Sequence, residues 1–389
     1  MRITSRAARL LLVLTLWLAA ASASAAPRIG VMTMLPGEIF FERFGHNAIV
    51  VDDPALGEPV SYNFGFFDLD EPGFIGRFVH GDMRYRLVAL PLREDLAYYD
   101  EVGRGVSVQW LDLTPAQAQA VAEALAENAK PENARYRYDY FTDNCSTRVR
   151  DALDRALGGA LQRQLAGRSQ GNTYRSEAVR LASPATWMWL GFDIGLGPAS
   201  DVPLSRWQEA FVPMRLAASL AEANGTEGRP LVPMEQRLLP HRLAPEPAEG
   251  PRRWWPWLLA GLALAIGVLA LAQRRPRVLA AGAVAAWSLL GLLGALLAFL
   301  WLGTEHRFAW ANANLLLFDP LCLLLIPGGW TIARGRTTSP RFRIVLALVA
   351  IAALATLPLQ LVPQPQAQAP WIALLLPLHL ALFAALRRR

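Results

Sequence analysis

The chain of 389 residues is 53% hydrophobic and only 18% charged, against about 25% charged in ordinary soluble domains, which excludes a single water-soluble globule. The net charge of +6 is unevenly placed: residues 252–389 hold 13 basic and 2 acidic side chains, the first 26 hold three arginines and no acid, and residues 27–251 hold 22 basic against 30 acidic. The basic excess thus flanks apolar runs, where it reads as membrane orientation, and the acidic remainder disfavours nucleic acid as a partner.

At the N-terminus, Arg2, Arg6 and Arg9 precede an apolar core from Leu10 to Ala20 and a small-residue run ending at Ala26, the pattern of a secretory signal peptide over residues 1–25. Residues 26–220 then mix strand and helix signals in one exported domain. The runs Ala48–Val51 and Val60–Phe64 predict a hairpin, Arg84–Pro91 and Val106–Leu111 two further strands. Thr114 caps a predicted helix reaching Asn128, and a second helix starts near Asn144. Residues 221–251, with Pro230, Pro233, Pro240, Pro245 and Pro247, read as a connector.

Five apolar segments follow in residues 252–389: Trp254–Ala272, Val278–Leu302, Leu315–Ala333, Ile344–Leu361 and Trp371–Leu386. Arginine clusters at 274–277, 334–343 and 387–389 belong on the cytoplasmic side, which turns the alternate loops and the polar domain outward. The expected location is a bacterial inner membrane, with the polar domain in the periplasm and the C-terminus in the cytoplasm. Arg252 and Arg253 run against that charge rule, and Trp254, Trp255 and Trp257 are expected to hold that end at the interface.

Only two cysteines occur, Cys145 in the polar region and Cys322 in an apolar run, so no disulfide is expected. Cys145 is then an unpaired thiol in an oxidising compartment. Its place in the first turn of a predicted helix favours thiolate, the form that acts as a nucleophile; a small buried cysteine packing at a helix start is the competing reading. A thiol nucleophile needs a base, and the exported part offers His46, His80 and His241. His46 opens the first hairpin strand, His80 sits in a loop and His241 in the connector, so His46 is favoured, although spacing alone does not join it to Cys145.

The segments GEIFFERFGHNAIVV, VSYNFGFFDLDEPGFIGRFVHGDMRYRL, PENARYRYDYFTDNCSTRVRDAL and WLGFDIGLGPASDVPLSRWQEAFVPMRL resemble the periplasmic domain of the Lnb lipoprotein N-acyltransferase family. The five apolar segments are similar to that family's membrane part, and TEHRFAWANANLLLFDPL to one of its outer loops. The resemblance implies an α+β exported domain of the permuted papain-like, NlpC- and LRAT-like kind, followed by an all-α five-helix transmembrane domain. It implies Cys145 as nucleophile, His46 as base and acid, and Asn63 or Tyr62 as the group orienting the imidazole. The implied reaction moves an acyl chain from a phospholipid through a Cys145 thioester to the α-amine of a lipoprotein. Phospholipid donor, lipoprotein acceptor and membrane are the expected partners.

Arg148 is a candidate for holding a phosphate or, equally, for an ion pair with Asp151 or Asp154. In the outer loop, His306, Asn312 and Asn314 carry the likeness and are candidate substrate contacts; solvated helix caps are the alternative. Asp319, at the outer end of the third span, is a functional candidate because a carboxylate facing lipid is costly. Cys322 reads as core packing and His379 as a polar contact between helices. No tight metal-ligand spacing occurs, so a cofactor-free enzyme is expected. Two other functions compete: a periplasmic cysteine peptidase or amidase acting on peptidoglycan, and a non-enzymatic envelope protein that binds a partner.

Overall fold

The computed structural model describes residues 26–389, so the predicted signal peptide lies outside the described residues. The chain forms two compact units. The first holds the chain up to Asp68, Arg84–Gln170 and Ser205–Glu246; the second holds Leu69–Met83, Gly171–Leu204 and Pro247–Arg389.

Seven strands build the first unit: β1 (Arg28–Met34), β2 (His46–Asp52), β3 (Val60–Phe66), β4 (Arg84–Pro91), β5 (Val106–Trp110), β6 (Arg135–Arg137) and β7 (Met234–Leu239). They form one sheet in the order β6-β4-β3-β2-β1-β5-β7, antiparallel at every pairing. Among the described residues the first nine helices in chain order are α1 (Phe74–His80), α2 (Leu92–Glu101), α3 (Pro115–Asn128), α4 (Cys145–Ala156), α5 (Ala160–Leu165), α6 (Tyr174–Ala182), α7 (Thr186–Gly195), α8 (Arg206–Glu209) and α9 (Pro213–Glu222). Of these, α1, α6 and α7 lie in the second unit.

Strand alternation divides the first unit into two cores. Ile29, Val31, Ile49, Val51, Tyr62 and Phe64 meet Val121 and Leu125 of α3, Val149 and Leu153 of α4, and Leu216 and Leu220 of α9. On the other face Met32, Met34, Ala48, Val50, Val106 and Val108 meet Tyr99 of α2. Each such Leu or Val fully removed from water contributes about 1.5–3 kcal/mol, so the covered sheet is the rigid frame of the unit.

The predicted hairpin forms, with Ala48 opposite Asn63 and Val51 opposite Val60. Both predicted helix starts carry a reciprocal cap, Thr114 with Gln117 and Asn144 with Thr147. Among the elements not anticipated are the central strand β1, the helix α2, and β7. The last lies within residues 221–251, expected to be a connector, and pairs with β5 as an edge strand. Its largely exposed residues Met234–Leu239 give no apolar alternation to read.

The second unit contains α10 (Trp255–Arg274), α11 (Pro276–Leu302), α12 (Ile326–Ala333), α13 (Pro340–Ala355) and α14 (Ala369–Leu386). Among the described residues four helices are long and apolar enough to cross a membrane, over Trp255–Arg274, Pro276–Leu302, Pro340–Leu361 and Ala369–Leu386. The expected third span is not one helix. Arg307–Leu316 and Pro320–Ala333 meet at a 43° bend, where Pro320 brings no N–H and the Asp319 carboxylate caps the N–H of Leu321 at 2.8 Å. The bend packs against α11, and a Cβ on Gly294 would collide with the carbonyl of Phe318.

Candidate active site

Cys145 is the first residue of α4, and its position is fixed by the polar groups on either side of it. Asn144 caps the helix by accepting from Thr147 N–H at 2.9 Å and donates to the carbonyl of Phe211 at 2.9 Å. The hydroxyl of Ser146 approaches Asn47 Oδ1 at 2.8 Å and the Ala210 carbonyl at 2.6 Å. The start of α4 is therefore tied to the start of β2. The backbone N–H groups of Asn47, Ser146 and Cys145 itself favour the thiolate. The thiol is nevertheless pushed above its ordinary value, because burial outweighs those N–H groups and the positive charge of Arg104. The thiolate expected from the helix dipole is not the resting form.

His46 opens β2 and presents Nε2 to Asn63 Oδ1 at 3.1 Å. The Asn63 amide is oriented in turn, since its Nδ2 donates to Asp95 Oδ2 at 2.6 Å and to Ser61 Oγ at 3.3 Å. The Ser61 hydroxyl also donates to Asp95. With its nitrogen turned to a carboxylate, Asn63 offers only its oxygen to the ring, so Nε2 carries the proton and Nδ1 keeps a lone pair. Burial, followed by the charge of Arg104, lowers His46 to about 4, against a raising contribution from Asn63. Burial also raises Asp95, opposed by its bonds from Ser61 and Asn63. At neutral pH the imidazole is therefore uncharged and the thiol protonated.

Arg104 is buried, with Nε donating to the Leu35 carbonyl at 2.8 Å, Nη1 at 3.4 Å from Glu42, and its guanidinium 5.0 Å from the Tyr99 ring centroid. Sequence reasoning missed Asp95, Ser61 and Arg104. A signal existed for Asp95: Leu92, Asp95, Leu96 and Tyr99 share one helical face, and an acid on an apolar face asks for a partner.

Of the two groups expected to orient the imidazole, Asn63 makes the bond, whereas Tyr62 points into the core on the opposite sheet face. Arg148 pairs with Asp143 at 2.8 Å, neither with Asp151 nor with Asp154, and lies 3.9 Å from the Tyr136 ring centroid. The remaining candidates lie in the second unit. His306 Nε2 bonds the Phe78 carbonyl at 3.1 Å. Asn312 donates to the carbonyls of Ile194 and Gly195 at 2.8 and 3.0 Å, and Asn314 to that of Ile194 at 3.0 Å. These carbonyls end α7 and have no partner within the helix. Asp319 caps Leu321 as described. His80 bonds the Gly76 carbonyl at 2.8 Å, and His241 accepts the N–H of Gly105 at 3.0 Å. His379 bonds the Leu317 carbonyl at 2.9 Å, a polar tie from α14 to the bent segment. Both cysteines are free and buried. Among the described residues no cluster of three His, Cys, Asp or Glu is placed to hold a metal.

An α/β unit with a buried cysteine at a helix start and a histidine–amide–carboxylate chain on the sheet, in a chain that also carries apolar membrane-length helices, defines a membrane protein with a mixed α/β polar domain. Residues 16–182 match the Lnb N-terminal periplasmic domain, and residues 252–388 the Lnb transmembrane domain. The chain belongs to the Lnb family, which makes it a membrane protein of lipoprotein processing with a periplasmic N-terminal domain. No curated protein and no solved structure matched the chain.

Proposed function

We propose that the protein is a cysteine-dependent N-acyltransferase of the bacterial inner membrane, with a permuted papain-like exported domain. It moves an acyl chain from a phospholipid to the α-amine of a lipoprotein. The observation that supports this best is the chain His46–Asn63–Asp95, which leaves Nδ1 of a neutral imidazole to accept a proton, on the strand tied to the helix start bearing Cys145.

Cys145 Sγ attacks the ester carbonyl carbon as its proton passes to His46 Nδ1. The carbon–oxygen ester bond then breaks, and the departing lysophospholipid alkoxide takes the proton from His46. The acyl group is left on Cys145 as a thioester. The lipoprotein amine attacks that carbonyl, the carbon–sulfur bond breaks, the amine loses a proton, and the thiol is restored. A thioester retains enough reactivity to acylate an amine, and a site at the membrane limits competing hydrolysis. His46 is suited to this because a base lowered to about 4 is uncharged at pH 7. The scheme assigns no step to Tyr62, Arg148, His306, Asn312, Asn314 or Asp319. Arginine clusters at 274–277, 334–343 and 387–389 support a cytoplasmic C-terminus.

The test is mass spectrometry of a reporter lipoprotein's N-terminal peptide, from cells that lack their own N-acyltransferase and express this protein or its Cys145→Ala form. An N-acyl chain that depends on Cys145 is expected. The same chain appearing with Cys145→Ala would sink the thiol mechanism.

A further inference from the structure

Tyr136 lies in β6 opposite Tyr85 of β4. Its ring is held edge-on by Phe64, with centroids 6.2 Å apart, and by the Arg148 guanidinium 3.9 Å from its centroid. Its Oη is buried and has no hydrogen-bond partner among the described residues. A buried hydroxyl left unpaired costs about 1–3 kcal/mol, so a fixed ring carrying one asks for a reason.

Gly65 supplies the second observation. Gly65 lies on β3 just beyond Asn63, where the pairing with β2 ends at Ala48. Pairing between β3 and β4 is irregular at this point, and Gly65 has φ +93. A Cβ on Gly65 would stand 3.7 Å from Cys145 Cβ, 3.9 Å from Tyr136 Oη and 3.6 Å from the Tyr138 ring. One point beside the cysteine is thus bordered by the thiol-bearing side chain and the unpaired phenol, and it stays open because residue 65 has no side chain.

We infer that Tyr136 is a further catalytic residue, whose O–H donates to the oxyanion formed when Cys145 attacks an acyl carbonyl, with Gly65 leaving room for that carbonyl. The inference rests on the thiol acyl-transfer reading above. As the sulfur–carbon bond forms, the carbonyl π pair moves onto oxygen and the thiol proton goes to His46. The oxyanion accepts a hydrogen bond from Tyr136, which keeps its proton, and on collapse the pair returns to the carbonyl while the alkoxide leaves. Burial holds the phenol well above its ordinary value, so it remains a donor throughout. A donor aimed where charge develops acts in the transition state and leaves the resting thiol unaffected.

The test uses the full chain in detergent with a p-nitrophenyl acyl ester, following nitrophenol release and the mass of the Cys145 adduct. Wild type, Tyr136→Phe and Cys145→Ala are compared, with alkylation of Cys145 by iodoacetamide and thermal unfolding as further readouts. Phenylalanine keeps the contacts with Phe64 and Arg148. Removing an oxyanion donor should slow acylation on the order of 10²–10³-fold. Alkylation, which forms no oxyanion, should be unchanged, and the melting temperature equal or higher because the lost hydroxyl had no partner. Acylation at the wild-type rate in Tyr136→Phe overturns the inference alone. Loss of cooperative unfolding also overturns it, since the hydroxyl would then be holding the fold. A wild-type protein that gains no acyl group on Cys145 overturns the parent reading and this inference with it.

Discussion

A histidine held near 4 and a thiol held above its ordinary value cannot rest as an ion pair at neutral pH. The proton must move as the sulfur attacks, which makes the acid limb of the rate a property of His46. Acylation measured as kcat/KM should therefore stay level from neutral pH down to about 5 and fall with an apparent pKa of about 4. Burial is the larger cause of that low value and Arg104 the second. Arg104→Gln removes a fixed positive charge and should move the acid limb upward, with alkylation of Cys145 slower at a given pH because the thiol loses the same support. An unmoved limb in the pH profile would exclude Arg104 from setting the base. The same lowered pKa has a sign for stability: His46 binds a proton more readily in the unfolded chain, so its contribution is complete above the unfolded value of 6.5 and is lost as pH falls toward about 4. Thermal unfolding of His46→Gln should accordingly be less sensitive to acid over that window than that of the wild type.

Helix α2 extends this control of the imidazole by one element, because its Asp95 fixes Asn63 and Ser61 on β3. Asp95→Ala takes the shorter-range acceptor from both Ser61 and Asn63, leaving Ser61 the Leu90 carbonyl and Asn63 the Ser61 oxygen, each at 3.3 Å, and should cost on the order of 1–3 kcal/mol of unfolding free energy. It also frees the Asn63 amide to turn its nitrogen toward His46, so acylation should fall more than alkylation does; Asp95→Asn, which keeps an oxygen acceptor, should recover part of both losses. Equal losses in the two reactions would mark Asp95 as a purely structural group. This also shows what could be read from sequence. The strand bearing His46 and the capped helix bearing Cys145 announce themselves through alternation and through Asn144, signals confined to a few neighbouring residues. The Asn63–Asp95 bond joins positions 32 apart in the chain, and no local pattern carries that pairing. Strand β7 escaped notice for a different reason: it sits at a sheet edge with exposed residues among prolines. The third span looked continuous because hydropathy registers composition, whereas the bend comes from Pro320 and the Asp319 cap.

At the scale of the whole molecule, the polar region is not one uninterrupted partner to the membrane part, since Leu69–Met83 and Gly171–Leu204 belong to the compact unit that contains the apolar helices. The bonds within that unit explain Arg252, which opposes the charge rule for membrane orientation. It pairs with Asp193, a residue 1% exposed near the end of α7, and donates to the Ala367 carbonyl at 2.9 Å. Trp371 Nε1 donates to the other Asp193 oxygen at 2.9 Å, while Asn312 and Asn314 hold the carbonyls that follow. Arg175 adds bonds to the carbonyls of Asp193 and Leu196 at 2.8 and 2.7 Å. A chain ending at Gly250 would keep Arg175 and Asp193 but lose Arg252, Asn312, Asn314, Ala367 and Trp371. Residues 27–250 expressed alone should therefore be cut by protease within residues 171–204, a stretch that the full chain in detergent protects. In the full chain, Arg252→Gln leaves the buried Asp193 carboxylate short of its nearest counter-charge, and breaking such a pair costs about 3–5 kcal/mol. Arg175 remains nearby, so the loss should fall toward the lower end of that range. Pairing the change with Asp193→Asn removes the stranded charge and should restore much of the protection. If Arg252→Gln alone leaves cleavage of residues 171–204 as slow as in the wild type, this ion pair does not hold α7 in its unit.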